Sequence, residues 1–283
     1  MSFELEKNIV EKSKDIEAEK KELLRQSTAY INAGGRGTRL EPILSKDEKI
    51  GITKSLIKFG GEDPVIHYHV DRLIKKGFGN VIVNAGDHFN VGEYFTGNKD
   101  EKLQVVNSEI QEGTGGDLIR VVRENPSIGK YIVIHNSDTI IEIDEGELLR
   151  QHKQSGAAAT FAMTRRSDVP NEGAFYISKN GEIIFNKEVV PEYAMLEPKK
   201  EDIAYQASSV GVVAFDTEVI KNYDWRSGDG PLSIYTQIIG KLIKEGKVFA
   251  YDNGGNFFVD IGTPKNYEKV MRHPILKKIL ESR

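Results

Sequence analysis

The sequence predicts an α/β fold built on a doubly wound mixed sheet, with a helix added at the N-terminus. Three observations support this prediction. Short apolar runs alternate with helical patterns from residue 28 to about residue 163, which is typical of parallel strands joined by helices. Beyond residue 163 the pattern changes to hairpins, and the clearest of these turns at Asn180-Gly181. Residues 1–27 are almost all good helix formers.

The N-terminal helix carries a narrow apolar stripe formed by Leu5, Ile9, Ile16 and Leu23. The last three of these residues keep a heptad spacing, but the repeat is too short to specify a coiled coil. Two outcomes stay open. The helix packs on its own domain, or it contacts a second copy of the chain in a homo-oligomer.

The first half of the main domain covers residues 28–163, where strands and helices alternate. This alternation predicts a parallel sheet with ligands bound beyond the carboxyl ends of the strands. The predicted strands centre on residues 30–31, 81–83, 103–106, 131–134 and 158–163, and the predicted helices cover residues 65–76, 117–123 and 145–155.

The second half, residues 164–262, is expected to add strands to the same sheet, because no linker separates the two halves. Residues 28–283 are therefore treated as a single domain. The hairpin strands are predicted at 174–178 and 182–185, further strands at 210–215, 248–250 and 257–259, and a helix at 233–245. The C-terminal segment, residues 263–283, reads as two short helices interrupted at Pro274.

Composition excludes several classes of protein. Hydrophobic residues make up 39% and charged residues 29% of the 283-residue chain, which is ordinary for a globular domain. A net charge of −4 gives no general attraction to nucleic acid or to an anionic membrane. No apolar run approaches the ~20 residues of a membrane span. The chain has no cysteine, which excludes disulfides and thiol chemistry. We expect a cytoplasmic protein that binds neither nucleic acid nor membrane.

A glycine-rich turn, Ala33-Gly34-Gly35-Arg36-Gly37-Thr38-Arg39-Leu40, follows the first strand. Its glycines lack the Cβ atoms that would keep backbone N–H groups away from an anion. Its arginines offer a planar fork of donors that suits phosphate. A dinucleotide fingerprint would need a glycine in place of Leu40, and a P-loop motif is absent. The turn is therefore predicted to bind phosphate in another way.

This turn, followed by Lys54, resembles the signature loop of the sugar-1-phosphate nucleotidyltransferases, the enzymes that make nucleoside-diphosphate sugars. Two further segments resemble the same family in the expected order. Gly113-Thr114-Gly115-Gly116 is similar to its second glycine loop, and Val259-Asp260-Ile261-Gly262-Thr263-Pro264-Lys265-Asn266-Tyr267 is similar to its C-terminal motif. The resemblance implies a Rossmann-like sheet, the nucleotide-diphospho-sugar transferase fold. It also implies transfer of a nucleotidyl group from a nucleoside triphosphate to a sugar 1-phosphate, with release of pyrophosphate.

The resemblance assigns roles to individual residues. Arg39 and Lys54 would hold the triphosphate, and Lys187 would bind the phosphate of the sugar. Asp138 and Asp260 match the two aspartates that bind Mg²⁺, a cation that prefers oxygen ligands. The implied nucleotide-binding residues are Ala33, Gly34, Gly35, Gly37, Thr38, Gly113 and Thr114, with Glu109 and Gln111 beside the nucleobase; the implied sugar-binding residues are Glu172, Gly173 and Ser209.

The nucleobase and the acceptor stay open at this point. A carboxylate at Glu109 would suit guanine, whereas the amide of Gln111 would suit uracil or thymine. The chain also departs from the family pattern: Thr53 replaces a proline, Ser55 differs from the common residue, and Ser137 replaces a glycine.

On the sugar side, Ser208-Ser209-Val210-Gly211 replaces the usual asparagine-alanine-glycine, and Glu188 stands where the pattern has other residues. These changes leave the acceptor open, and two alternatives are kept. The acceptor is a phosphorylated non-sugar alcohol or cyclitol, or the protein senses nucleotide sugars without turnover.

Overall fold

The computed structural model describes residues 2–35, 40, 53–58, 63–87, 89–108, 112–165, 175–187, 191–193, 195–226 and 229–274. The strands are β1 Ser27–Asn32, β2 Asn80–Gly86, β3 Leu103–Asn107, β4 Tyr131–Asn136, β5 Thr139–Ile141, β6 Ala159–Thr164, β7 Phe175–Ile177, β8 Ile183–Asn186, β9 Tyr205–Asp216, β10 Val248–Asp252 and β11 Phe258–Asp260. The helices are α1 Ser2–Arg25, α2 Val65–Lys76, α3 Phe89–Tyr94, α4 Gly113–Glu124, α5 Glu145–Ser155, α6 Thr217–Lys221, α7 Ile239–Lys244 and α8 Pro264–Met271, and a π-helix at Ile234–Ile238 runs directly into α7.

The central sheet is mixed, as predicted. Its strands lie in the order β10-β6-β9-β4-β1-β2-β3. Strand β1 pairs in parallel with both β2 and β4. Strand β9 runs antiparallel to β4 on one side and to β6 on the other. Because β4 and β6 are both antiparallel to β9, their carboxyl ends lie at the same edge of the sheet as those of β1 and β2.

Side chains alternate between the two faces of the sheet, as the period of two in a strand requires. On β1, Tyr30 lies in the hydrophobic cluster that includes residues of α4 and α7. Its neighbours Ala29 and Ile31 lie in the opposite cluster, which includes residues of α2 and α5. Both faces are therefore covered by helices, and the sheet is the middle layer of the fold.

Strand β9 is longer than the predicted strand at 210–215 because it has two sets of partners. Its first residues pair with β7, where Ala207 lies opposite Phe175. Its later residues pair with β4 and β6. The β7–β8 hairpin turns at Asn180-Gly181 as predicted, and Gly181 has φ of 86°, a value that few other residues adopt without strain.

The last part of helix α1 packs on its own domain. Lys20 Nζ lies 2.7 Å from Asp144 Oδ2 at the start of α5, and Lys153 Nζ lies 2.7 Å from Glu19 Oε1. Leu23 is buried in the cluster under β1. Ile16, which the sequence places on the same stripe, is 41% exposed. The first of the two open outcomes therefore holds for this part of the helix, and a homo-oligomeric contact stays a prediction. So does the division of the chain at residue 27.

Five other elements differ from the sequence predictions. Helix α4 starts at Gly113, so the predicted second glycine loop is the first turn of a helix. The strand β5 and the short helices α3 and α6 were not predicted. The helix predicted for residues 233–245 begins as a π-helix. The last predicted helix, beyond Pro274, lies outside the described residues.

The described part of the chain contains no helix that is both long enough and apolar enough to cross a bilayer.

Candidate active site

A cleft of about 440 Å³ opens at the carboxyl ends of β1, β2 and β4. This is the edge at which doubly wound sheets bind their ligands. Seven residues that the family resemblance picks out line it together: Gly34, Gly35, Lys54, Gly113, Thr114, Asp138 and Asp260. Six other lining residues were not picked out by sequence reasoning: Asn32, Gly86, Asp87, Asp117, Asn136 and Tyr235.

Gly34 and Gly35, the first glycines of the glycine-rich turn, allow close packing around the cleft. The backbone N–H of Ala33 donates to the carbonyl of Asn84 at 2.8 Å, which extends the β1–β2 pairing into the turn. A Cβ atom on Gly34 would lie 3.1 Å from the Cα of Gly86, and one on Gly35 would lie 3.0 Å from Cε of Lys54. A larger residue at either position would therefore displace the neighbouring turn or the lysine.

Lys54 and Asp138 form an ion pair inside the cleft. Lys54 begins a 3₁₀ turn at Lys54–Leu56, and its Nζ lies 2.5 Å from Oδ2 of Asp138. The lysine side chain is 20% exposed and the aspartate side chain 7% exposed. The pair brings the predicted triphosphate lysine and a predicted metal ligand into direct contact.

Two departures from the family pattern are neighbours in space. The hydroxyl of Ser55 lies 3.0 Å from the hydroxyl of Ser137, and it also donates to the carbonyl of Ala33 at 3.1 Å. Both serines are buried. Each serine is next in sequence to one member of the Lys54–Asp138 pair. The hydroxyl contact thus ties the lysine segment to the turn that carries the aspartate.

Asp260 reaches the cleft through a pairing of two short strands. Strand β11 runs antiparallel to β5, with Asp260 opposite Thr139, the residue that follows Asp138. The N–H of Ile261 donates to the carbonyl of Asp138 at 2.8 Å. The N–H of Gly262 donates to Oδ1 of Asp260 at 2.5 Å, which orients that carboxylate. The two aspartates predicted as metal ligands therefore lie on adjacent strand ends.

The residues present fit the predicted Mg²⁺ site only as part of a larger ligand set. Within the described ranges, no group of three or more His, Cys, Asp or Glu side chains is arranged to hold a metal. Mg²⁺ is commonly held by one or two carboxylates together with phosphate oxygens of a substrate. Asp138 and Asp260 match that arrangement, in which the triphosphate supplies the remaining ligands.

The glycines at the start of α4 pack against a distant backbone segment. Gly113 has φ of 74°, and a Cβ atom there would lie 2.5 Å from the carbonyl oxygen of Leu232. The N–H of Gly115 donates to that same oxygen at 2.7 Å, and the N–H of Ile234 donates to Oγ1 of Thr114 at 3.1 Å. These contacts join α4 to the start of the π-helix, so this wall of the cleft is built from both halves of the chain.

Tyr235 forms part of that wall and was not identified from the sequence. Its hydroxyl donates to Oδ1 of Asn136 at 2.8 Å. Burial, and then the nearby carboxylate of Asp138, raise the pKa of the Tyr235 phenol above its usual range. A π-helix often marks a functional position, but the sequence of residues 233–245 shows only an ordinary helical period.

A buried charged group lies behind the turn that carries Asp138. Arg72 on α2 forms an ion pair with Glu145, and its Nη2 lies 3.4 Å from Nδ1 of His135. Burial, and then the charge of Arg72, hold the pKa of His135 well below its usual range. A fully buried imidazole with a lowered pKa fits a packing role for His135.

The other predicted site residues are placed differently or are not described. Lys187 is exposed after β8, with Nζ 5.6 Å from the ring centre of Tyr176. Ser209 is partly buried on β9, and its hydroxyl accepts the N–H of Gly211 at 3.1 Å. Neither lines the cleft, so their sugar-side roles stay predictions. Gly37, Thr38, Arg39, Glu109, Gln111, Glu172 and Gly173 lie outside the described residues.

The fold and the cleft define a doubly wound α/β protein with a candidate site at the carboxyl ends of its strands, and sequence comparison defines its family. The chain matches the family described as Nucleotidyl transferase over residues 28–275. It therefore belongs to that family, which confirms the resemblance drawn from the three motifs.

Individual relatives agree with this assignment. The chain is 27% identical over 246 residues to the mannose-1-phosphate guanylyltransferase catalytic subunit beta of Xenopus tropicalis, a match that covers 84% of the chain and 62% of the relative. The chain thus spans about 62% of the length of that protein.

Among solved structures, HddC from Yersinia pseudotuberculosis superposes with a TM-score of 0.66 at 17% identity, covering 87% of this chain and 98% of that one. The inositol-1-phosphate CTP transferase from T. maritima superposes with a TM-score of 0.65 at 17% identity, covering 90% of this chain and 96% of that one. At these identities the likeness concerns the fold, and it confirms the predicted fold class.

Proposed function

We propose that the protein transfers a nucleotidyl group from a nucleoside triphosphate to a sugar 1-phosphate and releases pyrophosphate. An oxygen of the sugar phosphate attacks the α-phosphorus, and the bond between that phosphorus and the bridging oxygen of pyrophosphate breaks. Charge dominates this reaction, because an anion must approach another anion. The site therefore needs fixed cations and well-placed donors more than it needs a strong base.

The observation that carries the proposal is the cleft itself, where Lys54, Asp138 and Asp260 converge beside the glycine turn at Gly34-Gly35. Lys54, on a short 3₁₀ turn, supplies the positive charge. Asp138, just before β5, and Asp260, at the end of β11, supply the negative charge. Substrate phosphates would compete with Asp138 for the ammonium of Lys54, which now lies 2.5 Å from that carboxylate. We propose that binding of the triphosphate replaces this contact with one to phosphate.

The remaining roles are proposals that follow the family pattern. Arg39 would stabilise the charge that develops on the leaving pyrophosphate, and Lys187 would hold the acceptor phosphate. Asp138 and Asp260 would hold Mg²⁺, which when bound neutralises charge on the triphosphate. The contact between the hydroxyls of Ser55 and Ser137 would hold the segments that carry Lys54 and Asp138 together.

The names of the relatives suggest which substrates to test first. Relatives from Xenopus tropicalis and Pichia angusta are named as a mannose-1-phosphate guanylyltransferase subunit and a mannose-1-phosphate guanyltransferase, so GTP with mannose 1-phosphate is the first pair. A cyclitol acceptor is the second candidate. The departure from the family pattern on the sugar side, at Ser208-Ser209, motivates it, and a neighbour of the same fold is named as an inositol-1-phosphate CTP transferase. A sensor without turnover is disfavoured, because Lys54, Asp138 and Asp260 are all present in the cleft.

The experiment is a pyrophosphate-release screen of four nucleoside triphosphates against hexose and heptose 1-phosphates and inositol 1-phosphate. The product is identified by mass spectrometry. Lys54→Met serves as the inactive comparison, and Lys99→Met, which removes the same charge at an exposed position, serves as the matched control. Release with a sugar 1-phosphate in the wild type and in Lys99→Met, but not in Lys54→Met, supports the proposal.

Release with inositol 1-phosphate alone would establish the cyclitol alternative. Binding of nucleotide sugars without any release of pyrophosphate would establish the sensor. Either result would overturn the proposed function.

A further inference from the structure

Asp117 lines the cleft but belongs to none of the motifs that the sequence resemblance identified. It lies on α4, one helical turn beyond Gly113, and it is only 8% exposed. A carboxylate so deeply buried needs compensating partners, and a bound ligand can be one of them. The end of the cleft at which Asp117 lies indicates which part of a nucleotide it would contact.

The strand order separates the two ends of the cleft. Asn136, Asn32 and Asn84 are register partners at the carboxyl ends of β4, β1 and β2. Adjacent strands are 4.7–4.9 Å apart, so the ends of β4 and β2 lie about 10 Å from each other. The Lys54–Asp138 pair lies at the β4 end, whereas Asp117, which contacts Asn84, lies at the β2 end. A nucleotide whose phosphates bind at Lys54 therefore extends its nucleoside toward Asp117.

Charge favours the same orientation. A fixed carboxylate at the β2 end repels a triphosphate, and the ammonium of Lys54 attracts it. Asp117 thus opposes binding of the nucleotide in the reverse direction. What remains for its oxygens to contact is the ribose or the nucleobase.

Asn84 and Ser108 hydrogen-bond the carboxylate of Asp117, whereas one of its oxygens, Oδ1, has no hydrogen bond among the described residues. Asn84 Nδ2 lies 3.4 Å from Oδ2 of Asp117, and the N–H of Gly86 donates to Oδ1 of Asn84 at 3.3 Å, which orients that amide. Oδ1 of Asp117 is buried and accepts no hydrogen bond from the part of the chain that the structure describes. Its nearest cation is Arg120, with Nη2 at 3.5 Å.

The charge of Arg120 is not devoted to Asp117, because the guanidinium also lies near two other carboxylates. Its Nε lies 3.3 Å from Glu112 and its Nη1 lies 3.8 Å from Glu124. Burial raises the pKa of Asp117 above its usual range, although the hydrogen bonds from Asn84 and Ser108 and the charge of Arg120 act in the opposite direction. The carboxylate is thus a buried acceptor with capacity left for a donor from the ligand.

We infer that Asp117 is a specificity-determining residue that accepts N–H groups of the nucleobase and favours guanine. Guanine presents two adjacent donors, N1–H and the 2-amino group, to the acceptor site that Oδ1 of Asp117 keeps for a ligand. Uracil and thymine offer one such N–H between two carbonyls. Adenine and cytosine place a ring nitrogen with a lone pair beside their amino group, which a carboxylate repels. The inference rests on the proposed function, since it assumes that the cleft binds a nucleotide.

The test is calorimetric binding of GTP, ITP and 2′-deoxy-GTP to the full chain, without acceptor. ITP lacks only the 2-amino group, and 2′-deoxy-GTP lacks only the ribose 2′-hydroxyl. The proteins are the wild type, Asp117→Asn and Asp224→Asn, which makes the same change of charge at an exposed position. Thermal denaturation checks that each variant is folded.

We expect the wild type to bind GTP about 10- to 100-fold more tightly than ITP, the effect of one hydrogen bond to a charged group. Asp117→Asn should reduce this ratio to less than about threefold, chiefly by weakening GTP, and Asp224→Asn should leave the ratio unchanged. The 2′-deoxy-GTP affinity should follow that of GTP in all three proteins.

Three results would overturn the inference. Equal affinities of the wild type for GTP and ITP would show that the 2-amino group is not read, whatever the variants do. A uniform loss of all three nucleotides in Asp117→Asn would assign Asp117 a structural role. If Asp117→Asn lost only a preference of the wild type for GTP over 2′-deoxy-GTP, Asp117 would contact the ribose and not the nucleobase. Because no acceptor is used, a failure of the proposed transfer reaction would leave these outcomes distinguishable.

Discussion

Replacement of Lys54 by methionine tests the centre of the cleft most directly. The substitution keeps most of the side-chain volume and removes the ammonium that lies 2.5 Å from Oδ2 of Asp138. Removal of one partner of a fully buried ion pair costs about 3–5 kcal/mol. The lysine is 20% exposed, so water can partly solvate the aspartate. We therefore expect a loss of about 2–3 kcal/mol in the free energy of unfolding.

The double variant separates the ion pair from other effects of the substitution. In Lys54→Met with Asp138→Asn, no charge is left without its partner, so the combined loss should be smaller than the sum of the single losses by about 1–3 kcal/mol. The assay is urea denaturation without nucleotide, with Lys99→Met as the control for loss of charge. In steady-state assays Lys54→Met should lower kcat/KM by on the order of 10²-fold or more.

Additive losses in the double variant, within about 0.3 kcal/mol, would refute the pairing of Lys54 with Asp138. A Lys54→Met protein as stable as Lys99→Met would refute the estimated contribution of the Lys54–Asp138 ion pair to stability. Loss of activity without loss of stability would show that Lys54 acts on the substrate but does not hold Asp138 in the free protein.

Four further predictions concern other parts of the chain. Asp260→Asn should abolish turnover while the melting temperature stays within a few degrees, and full activity of the wild type in EDTA would contradict the role of both aspartates in binding Mg²⁺. Arg39→Ala should lower kcat/KM by on the order of 10²-fold or more, whereas a change below about threefold would indicate a structural role. Lys187→Ala should raise the KM for the acceptor and leave the affinity for the triphosphate unchanged in calorimetry; the reverse pattern would place Lys187 at the nucleotide. Leu23→Ala should cost about 2–4 kcal/mol in the free energy of unfolding, and Ile16→Ala less than about 1 kcal/mol, so equal losses in chemical denaturation would contradict the packing of α1 on its own domain.

Much of the fold could be predicted because it depends on local pattern. Helices α2 and α5 have the bounds that their apolar period predicts, Val65–Lys76 and Glu145–Ser155. The hairpin turn at Asn180-Gly181 depends on the backbone preferences of two residues. Such signals are contained in stretches of a dozen residues or fewer, so no knowledge of the rest of the chain is needed to read them.

Elements that depend on distant partners were predicted less well. Strand β9 runs five residues further toward the N-terminus than its apolar run, because β7 supplies ladder partners for that part. The first turn of α4 was read as a loop from its glycines. Those glycines instead permit contact with the carbonyl of Leu232 and the N–H of Ile234, which lie more than a hundred residues away in sequence.

The candidate site shows the same division. Gly34, Gly35 and Asp260 could be named from the sequence because each belongs to a contiguous motif, and Lys54 and Asp138 could be named because the family resemblance assigns them roles. Their roles in catalysis stay predictions. Residues without such a motif, Asp117 and Tyr235, could not be found, because an aspartate or a tyrosine within a helical pattern carries no sign of the cleft it faces.

The sequence by itself determined the class of fold and the residue types that could meet phosphate and metal, because glycine turns, strand period and the order of motifs are local properties of the chain. Only the tertiary structure decided which of these residues meet. The three-residue strand β5 is too short to be recognised alone, yet its pairing with β11 brings Asp260 beside Asp138. The hydroxyls of Ser55 and Ser137 look like two unrelated departures until they are found 3.0 Å apart. Contacts of this kind depend on the register and packing of distant segments, which are set by burial over the whole core and leave no local pattern in the chain.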